Sequence, residues 1–138
     1  MTADWIGTIK DLRSGLREMR AGAPEVMKAF AGIAQAALQK NVLDGKTKEL
    51  IALAVSVAVR CDDCIAFHAK AAVDQGATSD EIHETLGMAI YMGAGPAAMY
   101  AAHALQAYTQ FAEAKKSDAA AGGDLSRASA PTLAGRRS

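Results

Sequence analysis

The sequence predicts an all-α fold, and three observations carry the prediction. Alanine, which forms helix most readily and loses least side-chain entropy in doing so, supplies nearly a quarter of the 138 residues. Apolar side chains recur at three- and four-residue spacing along most of the chain, as one face of a helix requires. β-Branched residues are sparse outside the stretch Leu50 to Val59. A chain of this length fits one domain with its own core, so cross-links are optional for folding.

Asp4 offers a cap for a first helix through about Arg20, striped by Trp5, Ile9, Leu12, Leu16 and Met19 and followed by Gly22. Pro24 suits the first turn of a second helix, which carries Val26, Met27, Phe30, Ile33, Ala34, Ala37 and Leu38 before Asn41. Asp44 caps a third, over about Lys46 to Val59. Its apolar residues run almost all the way round, which places it inside a bundle or at a subunit interface. A strand is the alternative there, but Ala52, Ala54 and Ala58 and the length of the segment favour helix.

The fourth helix opens at Cys61 and runs to about Gln75, stopping at Gly76. Thr78-Ser79-Asp80-Glu81 has capping-box spacing and starts a fifth through Ile82, Leu86, Ile90 and Met92. Gly93-Ala94-Gly95-Pro96 interrupts it, and helix resumes from Ala97 to about Lys115, with alanines that let a neighbour approach closely. Met88, Met92 and Met99 read as core gap-fillers, and Tyr91, Tyr100 and Tyr108 as rings packed on other helices. His103 reads as a core or interface residue. The helical domain is therefore expected over 1–116. The Ala/Gly/Ser/Arg composition of 117–138 has too little bulk to order itself and predicts a flexible tail.

Fifteen Lys and Arg balance fifteen Asp and Glu, which gives no electrostatic case for a nucleic acid or an anionic membrane surface. The longest apolar run is about half a bilayer crossing. Met-Thr-Ala-Asp-Trp lacks the basic start and apolar core of a secretion signal, so the cytoplasm is the expected compartment. In that reducing setting, two cysteines separated by two residues point to redox chemistry or metal before structure.

Cys61, Cys64 and His68 stand at i, i+3 and i+7, within about 60° of arc on one helix face. Thiols one turn apart can close into a disulfide, and the free amides of a helix N-terminus favour thiolate. His68 lies one turn beyond Cys64, placed to take its proton, and Glu49 on the preceding helix could orient the imidazole. Asp62 and Asp63 oppose a nearby thiolate, so the base should matter more than the helix dipole. Three readings compete with this one: two apolar cysteines that merely pack together, a zinc site completed by Glu49 or His103, and, for Glu49, a surface carboxylate paired with Lys46 or Lys48.

Glu49, eleven intervening residues, Cys61-x-x-Cys64, three more residues and His68 together resemble the motif of AhpD-like alkylhydroperoxidases in the carboxymuconolactone decarboxylase family. Leu43-Asp44-Gly45-Lys46-Thr47-Lys48-Glu49-Leu50-Ile51-Ala52 resembles that family's entry into the preceding helix, and Met92-Gly93-Ala94-Gly95-Pro96-Ala97 its glycine-rich junction. The resemblance covers about Leu12 to Phe111. It implies an AhpD-like helical bundle assembled as a homo-oligomer, trimer or hexamer, with the thiol pair near a subunit interface. It also implies dithiol reduction of a hydroperoxide or of a peroxiredoxin partner's disulfide. Cys61 and Cys64 would be the redox pair, with Cys64 exchanging, and Glu49 and His68 the proton relay. No bound cofactor is implied; electrons would come from a dithiol donor such as dihydrolipoamide, free or on a lipoyl protein. One departure is Asp63, where AhpD proteins carry a histidine. The rivals are a carboxymuconolactone-type decarboxylase, which needs no cysteine pair, and a non-catalytic redox-sensing oligomer.

Overall fold

The structure, a computed structural model, describes residues 3–127, with side chains through Gly122. Among these residues the secondary structure is helical, in the order α1 (Trp5–Gly22), α2 (Pro24–Leu38), α3 (Gly45–Ala58), α4 (Asp62–Asp74) and α5 (Ser79–Arg127). The helix starts are set locally. Asp4 accepts a hydrogen bond from the Gly7 N–H at 2.9 Å and Asp44 one from Thr47 at 2.7 Å, each satisfying an amide that has no partner inside its helix. α2 has no side-chain cap and begins at Pro24, which needs no N–H partner.

α3, α4 and α5 pack on one another, with α1 laid against α4 and α5. Leu53, Val57, Ile65 and Ile82 are the largest fully buried side chains, and alanines fill most of the remaining core. Ala66, Ala69 and Ala72 on α4 and Ala97, Ala101 and Ala104 on α5 are buried, the close approach their small size predicts. α5 is two helical arms that meet at Ala94, whose φ of 53° and ψ of −137° leave the helical region. Pro96 removes a donor from the hydrogen-bond ladder just beyond it, so the interruption read from the sequence is a kink.

Three expectations need correction. Met88, Met92 and Met99 do not fill the core: all three are exposed, as is Tyr91. Among the described residues, nothing covers their side of α5. Helix also persists beyond Lys115 to Arg127, through the first half of the segment expected to be flexible, because its alanines keep helix without needing burial; residues 128–138 of that segment lie outside the described residues. Of the two places expected for His103, the core is excluded: its side chain is partly exposed at 40% and paired with a carboxylate.

α2 buries no residue at all. Its apolar stripe, Val26, Phe30 and Ile33, is 60–68% exposed, and Ile51, Val55 and Val59 of α3 are also open to solvent. Both helices carry more apolar surface than this chain covers. The C-terminus of α2 is instead tied to α3 by Lys48 Nζ, which donates to the carbonyls of Ala37 and Gln39 at 2.7 and 2.6 Å. Among the described residues, no helix is long and apolar enough to cross a membrane.

Candidate dithiol site

The turn between α3 and α4 places the cysteines. The Cys61 N–H donates to the Ser56 carbonyl at 3.0 Å and the Arg60 N–H to Val57 at 3.2 Å, the paired bonds of a Schellman helix end. Such a turn needs a left-handed residue, and here it is Arg60, with φ of 59°. The position usually belongs to glycine, so the backbone is strained one residue before the first cysteine. Cys61 itself is the N-cap of α4, its Sγ accepting the Cys64 N–H at 3.1 Å. One amide of the first turn, that of Cys64, thus faces sulfur, an arrangement that favours negative charge there.

Cys61 and Cys64 are joined as a disulfide, with Cα atoms 5.2 Å apart. Both residues are partly accessible. One turn on from Cys64, on the same helix face, His68 Nδ1 meets Glu49 Oε2 at 2.8 Å. The carboxylate comes from α3, where Glu49 shares the buried stripe with Leu53, Ser56 and Val57 and is only 8% exposed. A carboxylate held that deep needs a partner, and the imidazole of His68 is it. With Nδ1 donating to Glu49, the neutral ring keeps Nε2 as its acceptor, free to take a proton. The surface alternative for Glu49 fails because both lysines are engaged elsewhere: Lys48 with α2, and Lys46 with Glu81 at 3.0 Å.

All four residues singled out in the sequence therefore stand around one helix end. A further pair escaped the sequence reading. His103 Nδ1 lies 2.8 Å from Asp62 Oδ1, across 41 residues, with the ring tilted against Tyr100 and Trp5 at centroid distances of 5.0 and 6.1 Å. Asp62 thus has a counter-charge whenever His103 is protonated, which offsets part of the opposition expected between Asp62 and a thiolate. No local spacing signals this contact; only the return of α5 past the start of α4 creates it. Asp63 has no such partner among the described residues.

A helical bundle carrying a Cys-x-x-Cys pair at a helix start, backed by a buried Glu–His pair, defines a dithiol protein of AhpD-like architecture. The chain belongs to the carboxymuconolactone decarboxylase family, whose profile matches residues 24–107. A family member from Legionella pneumophila, solved by crystallography, is 48% identical, with a TM-score of 0.77 over 78% of this chain and 96% of its own. One from Thermotoga maritima is 31% identical, with a TM-score of 0.73 over 80% of this chain and 94% of its own. An uncharacterized protein of Cupriavidus necator is 39% identical over 76% of this chain and 93% of its own length. Another from Haemophilus influenzae is 40% identical over 79% and 96%.

Proposed function

We propose that this protein is a cytoplasmic dithiol–disulfide oxidoreductase that reduces hydroperoxides, or the disulfide of a peroxiredoxin partner, at Cys61 and Cys64. The observation that carries the reading is the disulfide at the start of α4 with the His68–Glu49 pair one turn behind it. The Thermotoga maritima relative, for which an antioxidative role has been conjectured, points the same way.

From the reduced state, His68 Nε2 takes the proton of the attacking thiol. Its imidazolium is then stabilised by the Glu49 carboxylate 2.8 Å away. The thiolate attacks the peroxide oxygen, the O–O bond breaks, and sulfenic acid and alkoxide form; the alkoxide leaves as alcohol with the proton from His68. The second thiol then displaces water from the sulfenic acid, closing the disulfide. Two electrons have passed from the thiols to the peroxide. A dithiol donor such as dihydrolipoamide, free or on a lipoyl protein, reopens the pair by exchange and leaves as its own disulfide. With a partner's disulfide as oxidant, the first step is exchange at the attacking sulfur, Cys64.

The exposed stripes of α2 and α3 support a homo-oligomer of this chain, trimeric or hexameric, in which those faces are covered. Light scattering on the purified protein tests it. The dithiol reading is tested by differential alkylation and intact mass. Peroxide should remove two hydrogens from reduced, metal-free protein, and dihydrolipoamide should restore them. Lack of either step, or lactone decarboxylation that survives Cys64→Ser, would transfer the site to the decarboxylase reading.

A further inference from the structure

On the side of the molecule formed by α1, the later turns of α4 and the second arm of α5 lies an open groove of about 550 Å³. The volume falls in the range of small-ligand sites. Its floor is apolar, with Ile6, Ile9, Phe111 and Ala114. Its rim is cationic: Lys10, Arg13, Arg17, Lys70 and Lys115 stand there against two carboxylates, Asp74 and Asp118. The chain as a whole is neutral, so this is a local concentration of positive charge.

The two characters are ordered along the groove. α1 and α5 meet where the Trp5 N–H donates to Gln110 Oε1 at 2.9 Å and Gln110 Nε2 donates to the Ala3 carbonyl at 2.7 Å. From that junction both helices read apolar first and charged later: Ile6 and Ile9 before Lys10, Arg13 and Arg17 on α1, Phe111 and Ala114 before Lys115 and Asp118 on α5, so that the cations outnumber the carboxylate at the charged end. Ile6 to Arg17 spans about 16 Å at the helical rise. Lys70 is bound to Asp74 at 2.7 Å and Lys115 to the Val73 carbonyl at 3.1 Å. Lys10, Arg13 and Arg17 have no carboxylate at ion-pair distance among the described residues.

We propose that this groove binds a soluble single-chain anionic amphiphile, a linear aliphatic carboxylate or alkyl phosphate. The chain would lie over Ile6, Ile9 and Phe111, and the head group between Arg13 and Arg17. An inorganic anion would leave the apolar floor unused, and a neutral lipid would leave the guanidinium groups unused; guanidinium forks match carboxylate and phosphate oxygens in pairs. The groove lies at the far end of α4 from Cys61, so the site stands independently of the dithiol chemistry.

The test is a titration of the full-length protein with sodium decanoate below its micellar concentration, read by calorimetry and by NMR shifts. Decanol, acetate and decyl phosphate serve as comparisons, and flotation on phosphatidylglycerol vesicles is run alongside. The proposal expects saturable binding of decanoate or decyl phosphate at one per chain, and shifts confined to α1, the end of α4 and α5. Arg13→Ala with Arg17→Ala should weaken binding by about tenfold or more. Both residues are exposed, so the fold should stand, and Ala114→Trp, which fills the floor, should abolish binding by a second route. Decanol binding as tightly as decanoate, acetate binding as tightly, an affinity unchanged in the double variant, or attachment to vesicles without binding of the free amphiphile would each overturn it.

Discussion

The turn that enters α4 and the turn that leaves it share one hydrogen-bond pattern. At the entrance, Cys61 and Arg60 donate to Ser56 and Val57; at the exit, Ala77 and Gly76 donate to Ala72 and Val73 at 2.9 and 3.0 Å. Both need a left-handed residue. The exit uses Gly76, with φ of 82°, and the entrance uses Arg60, with φ of 59°. Glycine adopts that conformation without steric cost, whereas a residue with a Cβ spends about 1–2 kcal/mol in it. The relaxed end of the helix holds structure, and the strained end holds the thiols. Strain of this kind persists only where surrounding contacts over-determine it, and it clusters at functional sites.

The largest effect that separates the two ends should be on rate. His68→Ala removes the base one turn from Cys64, and disulfide closure in peroxide should slow by about 10²–10⁴-fold, the usual contribution of a positioned base. Stopped-flow alkylation checks this. Lys70→Ala, near the other end of the same helix, should leave the closure rate unchanged. Equal slowing in both variants would mean that α4 responds as a whole and that the division between its ends is false.

The next effect is on stability. Gly76→Ala introduces a Cβ that meets nothing within 4 Å, so its cost is the left-handed backbone alone, about 1–2 kcal/mol, of which the stiffer unfolded chain returns about 0.4–1 kcal/mol, a net loss of about 0.5–1 kcal/mol in chemical denaturation. Arg60→Gly is the reverse experiment and should give a gain of similar size. It relieves the same 1–2 kcal/mol, but glycine adds about 0.4–1 kcal/mol of freedom to the unfolded chain, leaving a net stabilisation near 0.5 kcal/mol. A large loss on Arg60→Gly would show that the arginine side chain, and not its backbone, holds the entrance turn.

Much of this was legible in the sequence because it is local. Asp4, Pro24, Asp44 and the Thr78–Glu81 box start helices through contacts three residues away, and those starts fell where expected. The Glu49, Cys61, Cys64 and His68 cluster was legible from helical spacing and from a motif. What failed was non-local. Met88, Met92 and Met99 have the composition of core residues, yet a periodic stripe says only that a face is apolar, and whether this chain or another copy covers it depends on topology. The Asp62–His103 contact failed for the same reason, since it joins residues 41 apart in sequence. The entrance turn was hidden differently: nothing in the letter Arg at position 60 announces a left-handed backbone.

The smallest effect sharpens the comparison from outside α4. The Asp44 carboxyl is held below its ordinary pKa by the hydrogen bond from the Thr47 backbone, and that of Glu81 by its hydrogen bond with Lys46, which ties the start of α3 to α5. A carboxyl whose folded pKa lies below its unfolded value stabilises the fold above the unfolded value, and that contribution disappears as pH falls through the folded one. Thermal stability should therefore decline as pH drops below about 4, the ordinary carboxylate range. Glu81→Gln and Asp44→Asn should each flatten that decline slightly, since Asp44 is exposed and Glu81 partly so, and solvent screens both. The closure rate should follow another profile, rising with pH as the thiolate fraction of the attacking cysteine rises. If the two profiles coincide, acid acts on the dithiol end by loosening the fold, and the independence of the site from its scaffold is lost. If they separate, proton transfer at the strained entrance is governed by His68 and Glu49 alone, while the carboxylates that start α3 and α5 govern only whether the helices stay together.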